Sequence, residues 1–475
     1  MKEDSELYFG EDENLREIVR RYEAMVKSNR IAYFDVHEYE RMVDHYIMLN
    51  QSDDAINVLR IAKKQHPNSS ELTIKQAEID FFSGHFKDAL DDLTSVENIE
   101  KDNPDLYLIK GKTYLATSQK QEALAMFDLC IDKCAENKVD IIFEVVTSLE
   151  EYDEFEVASR YLQKAVKIEP DNCQIYGELG FILEHLNRTE DAITAYETMV
   201  DLDPFLAFGW SNIGVLYSKL GNNAKAIEAF DYVIALEPET AIAYYNKANA
   251  LANNGDINEA LSIFLEYLKM DDDSAMALCC IAECYEKLGD FDNAGRYYRQ
   301  TLDVEPNNPD ALYGLAVVEL ENDNVDESFS LAQKALEIDP NIPEYWFGYG
   351  KLNLRLGNLD TARSAFEKAI SLDPLDFESW LLLSEIEEND SLAQAIAIVQ
   401  RGLKENGEIA SLHYRLAAYS FLMGDMDQSA KAFERGLELD IDSVEDFFEF
   451  CPEATNEVCF LNLLKSYLQK LNPSS

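Results

Sequence analysis

Apolar residues in this chain recur at three- and four-residue spacing, the mark of amphipathic helices, and the whole pattern repeats every 34 residues. Pro170, Pro204 and Pro238 stand 34 apart; Asp272 interrupts the count, and Pro306, Pro340 and Pro374 resume it. Pro67 joins them once a single inserted residue is allowed. Twelve copies of the unit cover residues 36–443, beginning at residues 36, 70, 104, 139, 173, 207, 241, 275, 309, 343, 377 and 410. One residue is gained near Lys138, and the copy at 377–409 is one short. Each copy predicts two helices, A and then B. Gly221, Gly255, Gly289, Gly357 and Gly424 mark the turn between them, where a residue with positive φ ends helix A. The proline at position 32 closes helix B, because proline disfavours helical geometry in the residue before it.

Inside the unit, side-chain size follows position. Position 8 holds Gly111, Gly180, Gly214 and Gly350, five alanines and Ser384; only Val43 and Val146 are larger. Position 20 is alanine from Ala55 through Ala294 and at Ala362, with Ser328 and Ser429 in two copies and Ala395 in the shortened one. Small residues are expected where helices A and B approach closely, since the residues at the contact set the helix spacing. Trp210, Trp346, Trp380, Tyr39, Tyr107, Tyr176 and Tyr244 occupy position 4, and position 24 holds rings such as Phe127, Tyr196 and Phe366. Both sets are expected to fill the space beside the small residues. At the ends, Leu15, Ile18, Val19, Tyr22, Met25 and Val26 make an apolar stripe on a helix over roughly residues 12–28. Val458, Leu461, Leu464, Leu468 and Leu471 repeat at helical spacing, so both ends read as caps over an exposed repeat face. Phe447, Phe448 and Phe450 either fill the second cap or form a knob for a partner.

The string AFGWSNIGVLYSKLGNNAKAIEAFDYVIALEPET at 207–240 resembles the tetratricopeptide repeat consensus at nearly every signature position, and the resemblance spans 408 of the 475 residues. The copies at 70–103, 139–172 and 377–409 diverge most. The resemblance implies an all-α solenoid, a right-handed superhelix of antiparallel helix pairs. It also implies a role in recognising proteins or peptides. On this expectation the chain divides into an N-terminal tail and capping helix (1–35), twelve repeats (36–443) and a C-terminal capping segment (444–475).

The formal charge is −50, from 91 acidic and 41 basic residues. That argues against a nucleic-acid partner, which needs a cationic surface to displace counterions, and against docking on anionic lipid. It serves either solubility or a preference for basic partners. The opening MKEDSELYFGEDENL lacks the basic and apolar regions of a secretory signal, and no run is apolar enough to span a membrane. A cytoplasmic protein with reduced thiols is the expectation.

No phosphate loop, nucleophile elbow, zinc-protease or dinucleotide motif is present in the sequence, and no enzyme activity or cofactor is expected. Cys280 and Cys284 stand four apart beside Cys279, as do Cys130 and Cys134. They are small packing residues or, alternatively, part of a metal site, which would want four ligands.

In proteins resembling this one, positions 2, 5, 6, 9, 12 and 13 of the A helices line the concave groove. Helical periodicity puts those positions on one face. At those positions the copy at 139 is acidic, with Asp140, Glu144, Glu150 and Glu151, and the copy at 377 shows Glu378, Glu385 and Glu388. The copies at 207 and 241 differ. They present Phe208, Ser211, Asn212, Val215, Ser218 and Lys219, then Ile242, Tyr245, Asn246, Asn249, Ala252 and Asn253, with no carboxylate. Asparagine offers a donor and an acceptor together, so it can hold a peptide backbone without reading its side chains. Phe208, Ser211, Asn212, Val215, Tyr245, Asn246, Asn249 and Asn253 are therefore the candidate peptide-binding residues; simple solvation or bonding within the helix is the competing account of the asparagines. The cationic clamp of chaperone-binding relatives is missing: around Asn212 its places hold Gly177, Phe181, Ile242 and Asn246. The expected partner is a protein or peptide, basic or with an extended segment. The competing expectation is a self-associating scaffold, with Phe447–Phe450 as its contact.

Overall fold

A helix that must reverse into its neighbour needs one residue with left-handed backbone, and position 15 of the repeat supplies it. Gly84, Gly221, Gly255, Gly289, Gly357 and Gly424 have φ between +73° and +90° in the computed structural model. Ser118, Asp153, Asn187 and Asp323 adopt φ of +56° to +62° at the same position in four further copies. Short polar side chains tolerate this conformation better than bulky ones. The structure describes residues 13–28, 31–49, 51–271, 274–388 and 390–471. These form twenty-seven α-helices and one 3₁₀ helix, with no strand among the described residues: an all-α solenoid built from tandem helix pairs. The A helices open at Val36, Glu71, Pro104, Lys138, Cys173, Ala207, Ala241, Ala275, Pro309, Pro343, Phe377 and Ala410. Each lies within one residue of the place the period assigns. Asn103, Asn172, Ser274 and Asn308 cap their A helices through the side chain.

The chain forms two compact units, Met1–Leu220 and Gly221–Ser475. In each, burial is a succession of apolar clusters passed along the chain, as expected where every repeat packs on its neighbours. The position-20 alanines are fully buried, from Ala55 to Ala395. Direct bonds show how closely the two helices of a repeat approach. Ser328 Oγ donates to the Ala316 carbonyl at 2.7 Å, and Ser429 Oγ to the Ala417 carbonyl at 2.7 Å, position 20 to position 8 in both. The glycines at position 8 have a further cause. A Cβ on Gly180 would stand 2.6 Å from the Tyr196 ring, and one on Gly350 2.7 Å from Phe366.

The rings at position 4 play a role the sequence reading did not assign. They do not simply fill space beside small residues. The Trp210 indole donates to the Pro204 carbonyl at 3.0 Å, Trp346 to Pro340 at 2.8 Å and Trp380 to Pro374 at 3.0 Å. Tyr176 and Tyr244 hydroxyls reach Pro170 and Pro238 in the same way, and Tyr107 reaches Lys101, which stands where the proline would. In six of the twelve copies, a ring early in the A helix thus ties down the carbonyl that closes the preceding B helix.

The terminal helices depart from the expected stripes. In the helix Glu13–Ser28, Ile18, Val19, Tyr22 and Met25 are buried, but Val26 is 54% exposed. Residues 1–12 of the expected N-terminal segment lie outside the described residues. In the helix Val458–Leu471, Val458, Leu461 and Leu468 face outward at 67%, 46% and 45% exposure. The packed face is Phe460, Leu463, Leu464 and Tyr467. The Leu471 side chain lies outside the described residues. The large Phe460 ring wins the interior because it meets Phe433 and Phe447, each at 5.0 Å between centroids. Phe447 is buried on the helix Val444–Phe450, while Phe448 and Phe450 pack half-buried on the same cluster.

Candidate functional site

The candidate residues fall on two A helices, one in each compact unit. Phe208, Ser211, Asn212 and Val215 lie on Ala207–Lys219 at the end of the first unit. Tyr245, Asn246, Asn249 and Asn253 lie on Ala241–Asn254 in the second. Within each helix the set shares one face, at three- and four-residue steps. Phe208 and Val215 are exposed, and Ser211 and Asn212 are half-buried between them. Phe208 packs edge-on against Tyr196 at 6.3 Å, which fixes the base of that face.

On the second helix Asn246 is half-buried and Asn253 exposed. Neither Asn212 nor Asn246 makes a side-chain hydrogen bond among the described residues, so both amides can meet a ligand. Asn249 is different: its Nδ2 donates to the Tyr245 carbonyl at 3.0 Å, the bond within the helix that competed with a binding role. Tyr245 is also partly committed. Its ring packs on Phe264 at 5.9 Å and Tyr267 at 5.6 Å, and its hydroxyl approaches Cys280 Sγ at 3.9 Å.

The acidic positions have their own signature. Glu40, Glu150, Glu178, Glu286 and Glu388 all stand at groove positions, half-buried, and burial pushes each carboxyl above its usual range. Beside Glu150, the neighbouring charge of Glu178 adds to the effect. Asp140 and Glu144 are exposed, with Lys112 Nζ 3.7 Å from Glu144. Arg415 lies 3.4 Å from Glu385.

The cysteines are packing residues in their surroundings. Burial pushes the Cys130 and Cys280 thiols up to about 12 and Cys284 to about 11, so each stays protonated near neutrality. No group of three or more metal-ligating side chains gathers among the described residues. None of the described helices is long and apolar enough to cross a membrane.

In the second unit the A-helix face is visibly hollow. A cleft of 550 Å³ is lined by positions 5, 6, 9, 12 and 13 of the copies at 309 and 343, including Tyr313, Val317, Leu320, Phe347 and Lys351. Sequence reading passed over it, having looked for polar groups where this site is mainly apolar. A second cleft, of 720 Å³, lies by Trp380 and is rimmed by Glu367, Glu387, Arg401 and Glu405.

Three family models described as tetratricopeptide repeat match the chain: one at residues 212–275 and 282–343, another at 343–386 and a third at 161–194. No curated protein matches it. Similar solved structures include YrrB, described as a TPR protein with an unusual peptide-binding site. It is 20% identical over 38% of this chain and 92% of its own, with a TM-score of 0.34. The APC/C hetero-tetramer Cut9-Hcn1 is 15% identical over 91% of this chain and 90% of its own, with a TM-score of 0.43. A tetratricopeptide repeat protein from Parabacteroides merdae is 19% identical over 55% and 98%, with a TM-score of 0.40. At these identities the likeness concerns the fold alone.

Proposed function

Taking as premise that this chain is a tetratricopeptide repeat protein, we propose that it is a non-catalytic adaptor whose A-helix faces hold an extended segment of a partner protein. In this reading residues 36–443 are the binding array, and the segments 1–35 and 444–475 close its ends. The observation that carries it is the pair of faces without a carboxylate. Asn212, among Phe208, Ser211 and Val215, and Asn246, beside Tyr245, keep their amides uncommitted on a chain of charge −50. Asn253 lies on the same helix as Asn246; Asn249 contributes through its acceptor oxygen, its donor being spent on the helix.

The test is titration of a partner captured from native extract against wild type, Asn212→Ala and Asn246→Ala, at low and high salt. Each net hydrogen bond is worth about 0.5–1.5 kcal/mol, so each variant should bind roughly two- to tenfold more weakly with its helix content unchanged. Salt should matter little, because screening over a Debye length of about 8–10 Å acts on charge-driven contacts. Equal affinity for all three proteins, with a steep salt dependence, would instead place the contact on the acidic face around Asp140–Glu151.

A second reading, self-association, has one observation behind it. Phe447 is consumed in the cap, but Val458, Leu461 and Leu468 leave an apolar strip on the last helix. Concentration-dependent sedimentation that is lost in Leu461→Glu would favour it.

A further inference from the structure

The repeat at 309 lacks the side chain that fills its siblings. Position 24 is leucine at Leu59, Leu93 and Leu162, valine at Val399 in the shortened copy, and Phe or Tyr in seven others. In the copy at 309 it is Ala332. The residues opposite are small too: Ala316 at position 8 and Ser328 at position 20, whose hydroxyl is spent on the Ala316 carbonyl. In the next repeat the same place is occupied by a ring, with Phe366 pressed against Gly350. Here small faces small, Leu352 packs against both alanines, and the cleft reaches down to all of them.

These residues form the floor of the 550 Å³ cleft, which opens onto the A-helix face. Its size falls within the roughly 300–1,000 Å³ of ordinary ligand pockets. The walls are Val317, Leu320, Leu354, Leu382 and the Phe347 ring. The two cations at the rim are engaged. Arg355 pairs with Asp323 and donates to the Leu320 carbonyl at 3.2 Å, and Lys351 Nζ lies 5.3 Å from the centre of the Phe347 ring. Tyr313 stands at the mouth, half-buried, and its hydroxyl makes no hydrogen bond among the described residues. Gly348 makes room for it: a Cβ there would collide with the Tyr313 hydroxyl oxygen.

We propose that this cleft is a socket for one aromatic side chain on a partner's peptide segment. The incoming ring takes the place that position 24 leaves at Ala332 and lies over Ala316 as Phe366 lies over Gly350, and the Tyr313 hydroxyl donates to the segment's backbone. The internal precedent argues for a ring: the repeat's own packing scheme places a ring at this position in seven other copies, and the lining is mainly apolar, with Glu286 and Glu321 as its carboxylates. A buried ring in a desolvated pocket is the usual anchor of a protein interface. The proposal deepens the adaptor reading above, and it rests on residues separate from Asn212 and Asn246.

The probe is a set of capped pentapeptides, Gly-Ser-X-Ser-Gly, with X as Phe, Trp, Leu or Ala. They are titrated by NMR into the full chain, wild type and Ala332→Phe. The Phe and Trp peptides should bind at least tenfold more tightly than the Ala peptide, and Ala332→Phe should abolish the difference. If Ala332→Phe does not fold, Ala332→Leu replaces it, because three other copies carry leucine at this position. Tyr313→Phe should weaken every peptide about equally, while keeping the preference for rings. Equal binding of Phe and Ala peptides, or an unaffected Ala332 variant, overturns the socket. A Leu peptide matching Phe overturns its aromatic selectivity. If the ring preference stands while Asn212→Ala and Asn246→Ala leave the captured partner's affinity unchanged, the socket survives and the asparagine faces do not. The reverse pattern removes the socket alone.

Discussion

At position 8 of the repeat, one methyl group is already too much. A Cβ on Gly180 would sit 2.6 Å from the Tyr196 ring, inside van der Waals contact, and that ring is itself held by its hydroxyl on Glu184 at 2.7 Å. The ring therefore has nowhere to retreat. Gly180→Ala should lower stability by about 1–3 kcal/mol, the usual range for overpacking, and chemical denaturation of the full chain should show an earlier first transition. The same logic predicts a gain at the turns. Ser118 holds φ +62° without being glycine. Ser118→Gly should raise the midpoint, by up to about 1 kcal/mol once glycine's greater unfolded freedom is subtracted from the relieved strain. A lower midpoint for Ser118→Gly would mean that the serine's left-handed backbone is already comfortable.

At the scale of the helix pair, two kinds of bond can be told apart by substitution. Ser328 and Ser429 donate to carbonyls at places where the other copies carry alanine, so Ser429→Ala should change the midpoint little. The position-4 clamp has no such substitute within its own repeat. Trp346→Phe keeps most of the ring but removes the 2.8 Å bond to Pro340, and should cost about 0.5–1.5 kcal/mol. A neutral result would mean that water takes over the proline carbonyl. The helix pairs themselves were legible in the sequence to within a residue, because proline at position 32 and the left-handed residue at position 15 punctuate the chain at fixed offsets. The closing helix was legible only in kind. Val458, Leu461 and Leu468 and the set Phe460, Leu463, Leu464 and Tyr467 both recur at helical steps, and periodicity cannot rank two adjacent faces; the bulk of Phe460 does. Asn249 was misleading for a similar reason, since an amide on a helix can reach its own carbonyl four residues back. The socket left no signal, because Ala332 taken alone is an ordinary helix former; it stands out only against eleven larger counterparts.

At the scale of the whole chain, charge and repetition govern behaviour. Glu40, Glu150, Glu178, Glu286 and Glu388 hold their protons more tightly when folded, because burial penalises the carboxylate. Folding then binds protons, so these groups favour the native state at mildly acidic pH and cease to do so as pH rises through their folded values. Glu71, held low by its bond from Ser69, works in the opposite sense. Acidification also trims a net charge of −50. The thermal midpoint should therefore be higher at about pH 5.5 than at about pH 7.5, and the opposite order would show that His45 and His413, whose imidazoles burial holds below their usual pKa and which cost stability on acidification, outweigh these carboxyls. Unfolding should also depart from a single transition, since burial within each unit is a string of local clusters in which repeats pack on their neighbours.

Those transitions can be watched without any label. The chain's three tryptophans each hang from a proline carbonyl at a seam between repeats, Trp210 in the first unit and Trp346 and Trp380 in the second. Their indole protons are three addressable NMR signals, each reporting whether one named seam is closed. Hydrogen exchange at Trp210 against Trp346 would show which half of the chain opens first.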